Sequence, residues 1–222
     1  MDYILPFLAV LLGYLLAVFI RPKNKNNLKL LLAFSGAFLL SVTVFDLLPE
    51  AYKTNTKLSG IFIMLGILFQ IILEFFSKGA EHGHVHGSEK MNQIPILLFI
   101  SLCLHAFLEG FPVGHHHDLA IGIAIHHLPI AVILTSFFIN AELSKNSIFI
   151  FMITFAAMTP LGTLSATNLI FLNNYSSQIS AFVVGILFHI SSTIIFESSE
   201  GHKFNIAKVS VIILGIILAY FI

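Results

Sequence analysis

The stretch Ile94-Pro-Ile-Leu-Leu-Phe-Ile-Ser-Leu-Cys-Leu-His-Ala-Phe-Leu-Glu-Gly-Phe-Pro-Val-Gly114 decides the fold class. It has the ~20 residues that a helix needs to cross ~30 Å of hydrocarbon. Its apolar residues do not alternate with polar ones, as the ~10-residue strands of a membrane barrel would. Seven more stretches share this character, at 3–20, 28–49, 59–77, 119–139, 146–172, 179–197 and 205–222. Of 222 residues, 57% are hydrophobic, 10% are charged and 23 are Phe; an ordinary soluble domain is roughly 25% charged. Mean hydropathy is +0.95. So few charges cannot cover a soluble surface, and the chain reads as an all-α integral membrane protein, one domain over 1–222 with eight transmembrane helices. Lys+Arg and Asp+Glu balance at 11 each, which excludes a nucleic-acid partner. The lone Cys103 excludes a disulfide framework.

Basic residues favour the cytoplasmic side. With the N-terminus outside, Arg21, Lys23, Lys25, Lys29, Lys78, Lys90, Lys145, Lys203 and Lys208 fall inside, and only Lys53 and Lys57 fall outside. Both termini are then expected on the non-cytoplasmic side of a plasma or inner membrane. The first span lacks the basic n-region of a signal peptide.

Polar groups within spans are costly and face a bundle interior or a wet cavity. Span 4 carries Ser101, His105 and Glu109 at i, i+4, i+8, one face of a helix. Gly185, His189, Thr193 and Glu197 repeat that step in span 7, and Thr43, Asp46 and Glu50 lie on one face of span 2. Span 5 places His126 and His127 before Pro129. Spans 2, 4, 5 and 7 are therefore expected to form an inner bundle, with 1, 3 and 8 as greasier scaffold. Pro112, Pro129 and Pro160 each remove a backbone donor, and broken helices at mid-membrane are a place where transporters bind ions.

His105 and Glu109, one turn apart, can converge on one cation, with His126 as a third ligand from span 5. Two imidazoles and a carboxylate suit Zn²⁺, or Fe²⁺, Mn²⁺ or Co²⁺. The bland alternative is a His–Glu hydrogen bond that ties two helices together. His82, His84 and His86 alternate in the cytoplasmic link at about 78–93, on one side of an extended chain suited to loose metal capture. His115, His116 and His117 sit with Asp118 at the outer mouth, while His202 reads as surface. Asp46 and Glu50 approach the outer end of span 2, and Glu197 and Glu200 the inner end of span 7.

Span 4, His105-Ala-Phe-Leu-Glu-Gly-Phe-Pro-Val-Gly114, and span 5, Gly122-Ile-Ala-Ile-His-His-Leu-Pro129, resemble the metal-binding helices of the ZIP (Zrt/Irt-like protein) divalent metal transporters. Ser35-Gly-Ala-Phe…Asp46-Leu-Leu-Pro-Glu-Ala51 resembles the family's second helix, and Thr159-Pro-Leu-Gly162 its sixth. The resemblance implies transport of a divalent transition metal, zinc first, toward the cytoplasm. It also implies two inverted three-helix repeats around spans 4 and 5. The sequence departs from the family at Ala106, His127, Ile130 and Thr159, where Asn or Ser and three acids are usual. Ile130 stands where the family's bridging carboxylate would, so the resemblance implies one metal site rather than two. Its ligands would be His105, Glu109 and His126, completed by water or by His127, His189 or Asp46.

Two other readings stay open: a divergent, non-transporting metal sensor or accessory subunit, and an intramembrane metal-dependent hydrolase. No His-Glu-x-x-His occurs in the chain, and no enzyme activity is expected. The expected partners are the divalent ion, the lipid bilayer and a second copy of the chain in a homodimer. The metal is cargo, and no separate cofactor is expected.

Overall fold

The structure, a computed structural model, describes residues 4–20, 25–53, 56–77, 90–114, 116–169, 171, 174–197 and 206–222. Among them there is no strand. Eight helical rods follow in chain order: α1 (Ile4–Phe19), α2 (Lys25–Val42, continued through Thr43–Leu47 and Leu48–Ala51), α3 (Thr56–Ser77), α4 (Ile96–Val113), α5 (His117–Asn140), α6 (Lys145–Asn168), α7 (Ser176–Glu197) and α8 (Ile206–Tyr220).

Six of these rods are long and apolar enough to cross a membrane: α2 over Asn26–Ala51, α3, α4, α5, α6, and α7 over Ser176–Phe196. The expected count of eight is not reached. The helix α1 has 16 residues and α8 has 15, about 24 and 22 Å at 1.5 Å per residue against a core of ~30 Å. The protein is membrane-embedded. One face of α3 leaves Met64, Leu68 and Phe75 exposed at 63%, 54% and 79%, an apolar surface suited to lipid and not to water.

The prolines do not break their helices: α4, α5 and α6 run on through Pro112, Pro129 and Pro160. The irregular turn lies instead in α2. Pro49 has no N–H to give to the Phe45 carbonyl, and just before it the helix widens into a π-helical turn at Thr43–Leu47, with Leu48 N–H bonding to the Thr43 carbonyl. Half-buried Asp46 sits on that turn, and such turns are frequent at functional positions.

Helix pairing is set by small residues. The four most extensive pairs are α1 with α5, α2 with α8, α3 with α7 and α4 with α6. In lipid, close packing takes the place of the hydrophobic drive, and glycine permits the closest approach. A Cβ on Gly13 would lie 2.6 Å from the Leu128 carbonyl oxygen, and one on Gly215 would lie 2.9 Å from that of Phe34. At Gly66 and Gly185 it would overlap the Phe182 and Ile63 carbonyls, and at Gly110 and Gly162 those of Thr159 and Phe107.

The four helices with polar stripes touch in the cyclic order α2, α5, α4, α7, and each is backed by one other: α8, α1, α6 and α3 in turn. The inner faces of this ring bury Phe38, Leu39, Ile123, Val184 and Leu187 on one side and Leu102, Leu134 and Ile190 on the other.

At the end of α5 the chain turns through Glu142 at φ 58°. Leu143 N–H bonds to the Phe138 carbonyl and Glu142 N–H to that of Ile139, the double bond of a Schellman cap that favours glycine at this position. The left-handed conformation costs a side-chain-bearing residue roughly 1–2 kcal/mol. Glu142 is also ion-paired with Lys90 at 2.8 Å, both side chains well exposed, and such a pair contributes about 0–1 kcal/mol. Glu142→Gly is expected to leave the melting temperature of the detergent-solubilised protein unchanged or raise it. A fall would mean that the ion pair outweighs the backbone term.

Candidate metal centre

Only residues 114–116 separate α4 from α5, so the two helices return antiparallel beside one another. On α4 the step of four residues stacks His105 under Glu109. Their side chains meet with His105 Nε2 3.1 Å from Glu109 Oε1. From α5, His127 Nε2 lies 3.1 Å from Glu109 Oε2 in a hydrogen bond. An ionised carboxylate only accepts, so the proton of this bond belongs to His127 Nε2. His126 comes in from the preceding position, and one ligand atom from each of His105, Glu109 and His126 lies within 4.8 Å of the others.

All four side chains are buried, Glu109 completely. A carboxylate out of water carries a large desolvation penalty, which a cation or charged partner offsets. Although Glu109 Oε1 is close to His105, it makes no aligned hydrogen bond. The arrangement has one carboxylate oxygen pointing among two imidazoles, with the second oxygen held by a third. Two nitrogens and one oxygen at this spacing could hold Zn²⁺ or a similar borderline ion, and nothing in the set selects among those ions. His127 holds the Glu109 carboxylate from behind, the place that partners of metal ligands commonly take.

The helix α6 closes the other side. Phe155 packs on the His127 ring at 5.2 Å between centroids. Thr159 is fully buried beside Gly110, with no hydrogen-bond partner for its hydroxyl. Ile130 belongs to the apolar cluster with Leu134, Phe155 and Ile190.

The structure separates the other candidates. His189 bonds Glu74 of α3, Nε2 to Oε2 at 2.5 Å. At the end of the bundle where α4 gives way to α5, His116 Nε2 meets Glu50 Oε2 at 2.8 Å, and Asp46 lies within electrostatic reach of Asp118 and His116. Of the three residues named to complete the site, only His127 touches Glu109. His82, His84, His86, His115, Glu200 and His202 lie outside the described residues.

One contact and one polar residue went unread in the sequence. Ser101 donates to the Leu73 carbonyl at 2.7 Å, tying α4 to α3. Gln70, on the greasy third span, is fully buried with neither amide atom hydrogen-bonded. An amide inside the otherwise apolar run 60–73 was the available signal. In comparison with known proteins, no family model matches the chain and no curated protein matches it.

Proposed function

We propose that the protein carries a divalent transition-metal cation, zinc first among them, across the membrane through the His105–Glu109–His126 centre. The observation that carries this reading is the placement of that trio, fully buried, at the contact of two helices long and apolar enough to span a membrane. A cation held there has half of its charge offset by Glu109, whose carboxylate His127 orients, while water at both ends of the spans leaves the ion two ways out.

The resemblance of spans 4 and 5 to the ZIP transporters supports the same reading and supplies the direction, toward the cytoplasm. Helix pairing adds to it. Exchanging α1–α3 with α6–α8 in order, and α4 with α5, turns the pair α1·α5 into α6·α4 and the pair α2·α8 into α7·α3, so the four principal pairs are preserved. That is the pattern two inverted three-helix repeats would produce, and rocking of one bundle against the other would give alternating access. On this reading α1 and α8 complete eight crossings by tilting less or locally thinning the bilayer, both termini lie outside, and a homodimer is a compatible assembly.

Zinc uptake into proteoliposomes, followed by a luminal zinc-sensitive dye, tests the proposal. His105→Ala and His126→Ala are each expected to slow uptake by about tenfold or more, the range set by loss of a metal-site partner. Rates unchanged in both variants would refute it. Binding without uptake in the unaltered protein would favour the sensor reading.

A further inference from the structure

The helices α3 and α7 run parallel. Gly66 lies against Phe182 and Gly185, and two turns on, Glu74 meets His189. Gln70 is midway between Gly66 and Glu74 on the same stripe, so it faces α7 between Gly185 and His189. Its amide is completely buried, and both Oε1 and Nε2 lack hydrogen-bond partners. A buried amide with neither atom satisfied loses its hydration and gains nothing in return, so such a group calls for a specific explanation. A carboxylate and an imidazole one turn away supply it: together the three side chains offer an amide oxygen, a carboxylate oxygen and an imidazole nitrogen.

We infer that Gln70, Glu74 and His189 form a second divalent-cation site, separate from the His105–Glu109–His126 centre and connected to it along α4. Mixed oxygen and nitrogen donors suit the same borderline ions. The Glu74–His189 pair is bridged by hydrogen in the absence of metal, and an incoming cation displaces that proton. The carboxylate and imidazole remain partly exposed, so the site has a route to solvent that the core centre lacks. The connection is the stripe Ser101–His105–Glu109. Ser101 touches α3 at Leu73, the residue next to Glu74, and the eight residues from Ser101 to Glu109 rise about 12 Å. This extends the transport reading: an ion leaving the core centre passes Ser101 and pauses at Glu74 and His189, toward the end of the bundle where α3 finishes and α4 begins.

Cobalt(II) titration of the purified full-length protein in detergent, read by its visible d–d absorption, tests the inference. Equivalents are counted against the unaltered protein, so that other histidines contribute equally to every sample. His189→Ala and Glu74→Gln are each expected to remove one equivalent, and His105→Ala a different one with a distinct spectrum. Gln70→Leu is expected to weaken the second equivalent by about tenfold while leaving the melting temperature unchanged or higher, because leucine fills the same apolar space without an unsatisfied amide. An affinity within twofold of the unaltered protein in Gln70→Leu, with no equivalent lost in His189→Ala, overturns the second site. An equivalent lost in His189→Ala but none in His105→Ala sinks the core centre and leaves the second site standing. If His189→Ala fails to fold, Gln70→Leu decides alone.

Discussion

Glu109→Gln is expected to abolish high-affinity metal binding and metal uptake together, with a loss of at least about 100-fold in affinity. Glutamine keeps the volume of the side chain and its place on α4, so the fold should survive, as a retained gel-filtration profile and melting temperature would show. What changes is charge. Glu109 is the carboxylate in contact with His105 and His127, and without it a divalent ion sits among neutral imidazoles with its full charge uncompensated in a membrane interior. Loss of an outer partner of a metal ligand costs about 10–100-fold. Loss of the only anionic ligand belongs beyond that range. His127→Ala serves as the comparison, since it removes only the orienting hydrogen bond and is expected to fall within it. Zinc affinity and uptake within twofold of the unaltered protein in Glu109→Gln would show that the trio does not hold the ion.

Gly185→Ala is expected to be among the most destabilising single methyl additions in the described residues. The added Cβ would overlap the backbone carbonyl of Ile63, and Gly66→Ala would do the same to Phe182. Backbone within a packed helix cannot rotate aside as a side-chain tip can, so α3 and α7 must separate. Overpacking costs about 1–3 kcal/mol where side chains absorb it, and this contact should exceed about 3 kcal/mol. Gly60→Ala, on α3, is the control: its nearest neighbour would be the Tyr52 hydroxyl at 3.6 Å, an ordinary contact. A lower melting temperature and aggregated elution for Gly185→Ala, with Gly60→Ala unaffected, is the expected pair of results. Equal stability of the two would mean that the crossing is looser than drawn. Gly162→Ala should reach further than stability, because the Phe107 carbonyl it displaces is two residues from Glu109. It should also weaken metal binding.

Much of this was legible in the sequence because it depends on one helix at a time. The 3.6-residue turn alone brings His105 to Glu109. Only residues 114–116 link the two helices, which brings His126 and His127 beside them. The polar stripes likewise announced which four helices make the inner ring. What escaped depends on pairs of helices distant in the chain. His189 and Glu74 are 115 residues apart, and their meeting follows from Gly66, passed over in the sequence, and Gly185, named there only as part of the span 7 stripe. Gln70 carries no charge and lies in a span otherwise read as scaffold, so a search by ionisable groups passes over it. Counting spans by hydropathy also missed how short the helices described at the two ends are. Proline was misleading in a different way: the neighbours of Pro112, Pro129 and Pro160 hold those helices continuous, and the one widened turn appears ahead of Pro49 at the end of α2.

The pairing of α1 with α5, α2 with α8, α3 with α7 and α4 with α6 also sets a timetable for assembly. None of these principal partners is a neighbour in the chain. During synthesis, each of the first three helices must wait in the bilayer, without its final partner, until a much later helix arrives. Insertion and docking are then separate stages, and contacts this remote in sequence slow the second. The helix α2, which carries Asp46 and Glu50, is the last to be completed, since its partner is α8. The His105–Glu109–His126 trio and the Glu74–His189 pair would be in place before that final docking, but the pair of Glu50 with His116 would gain its lasting support only then.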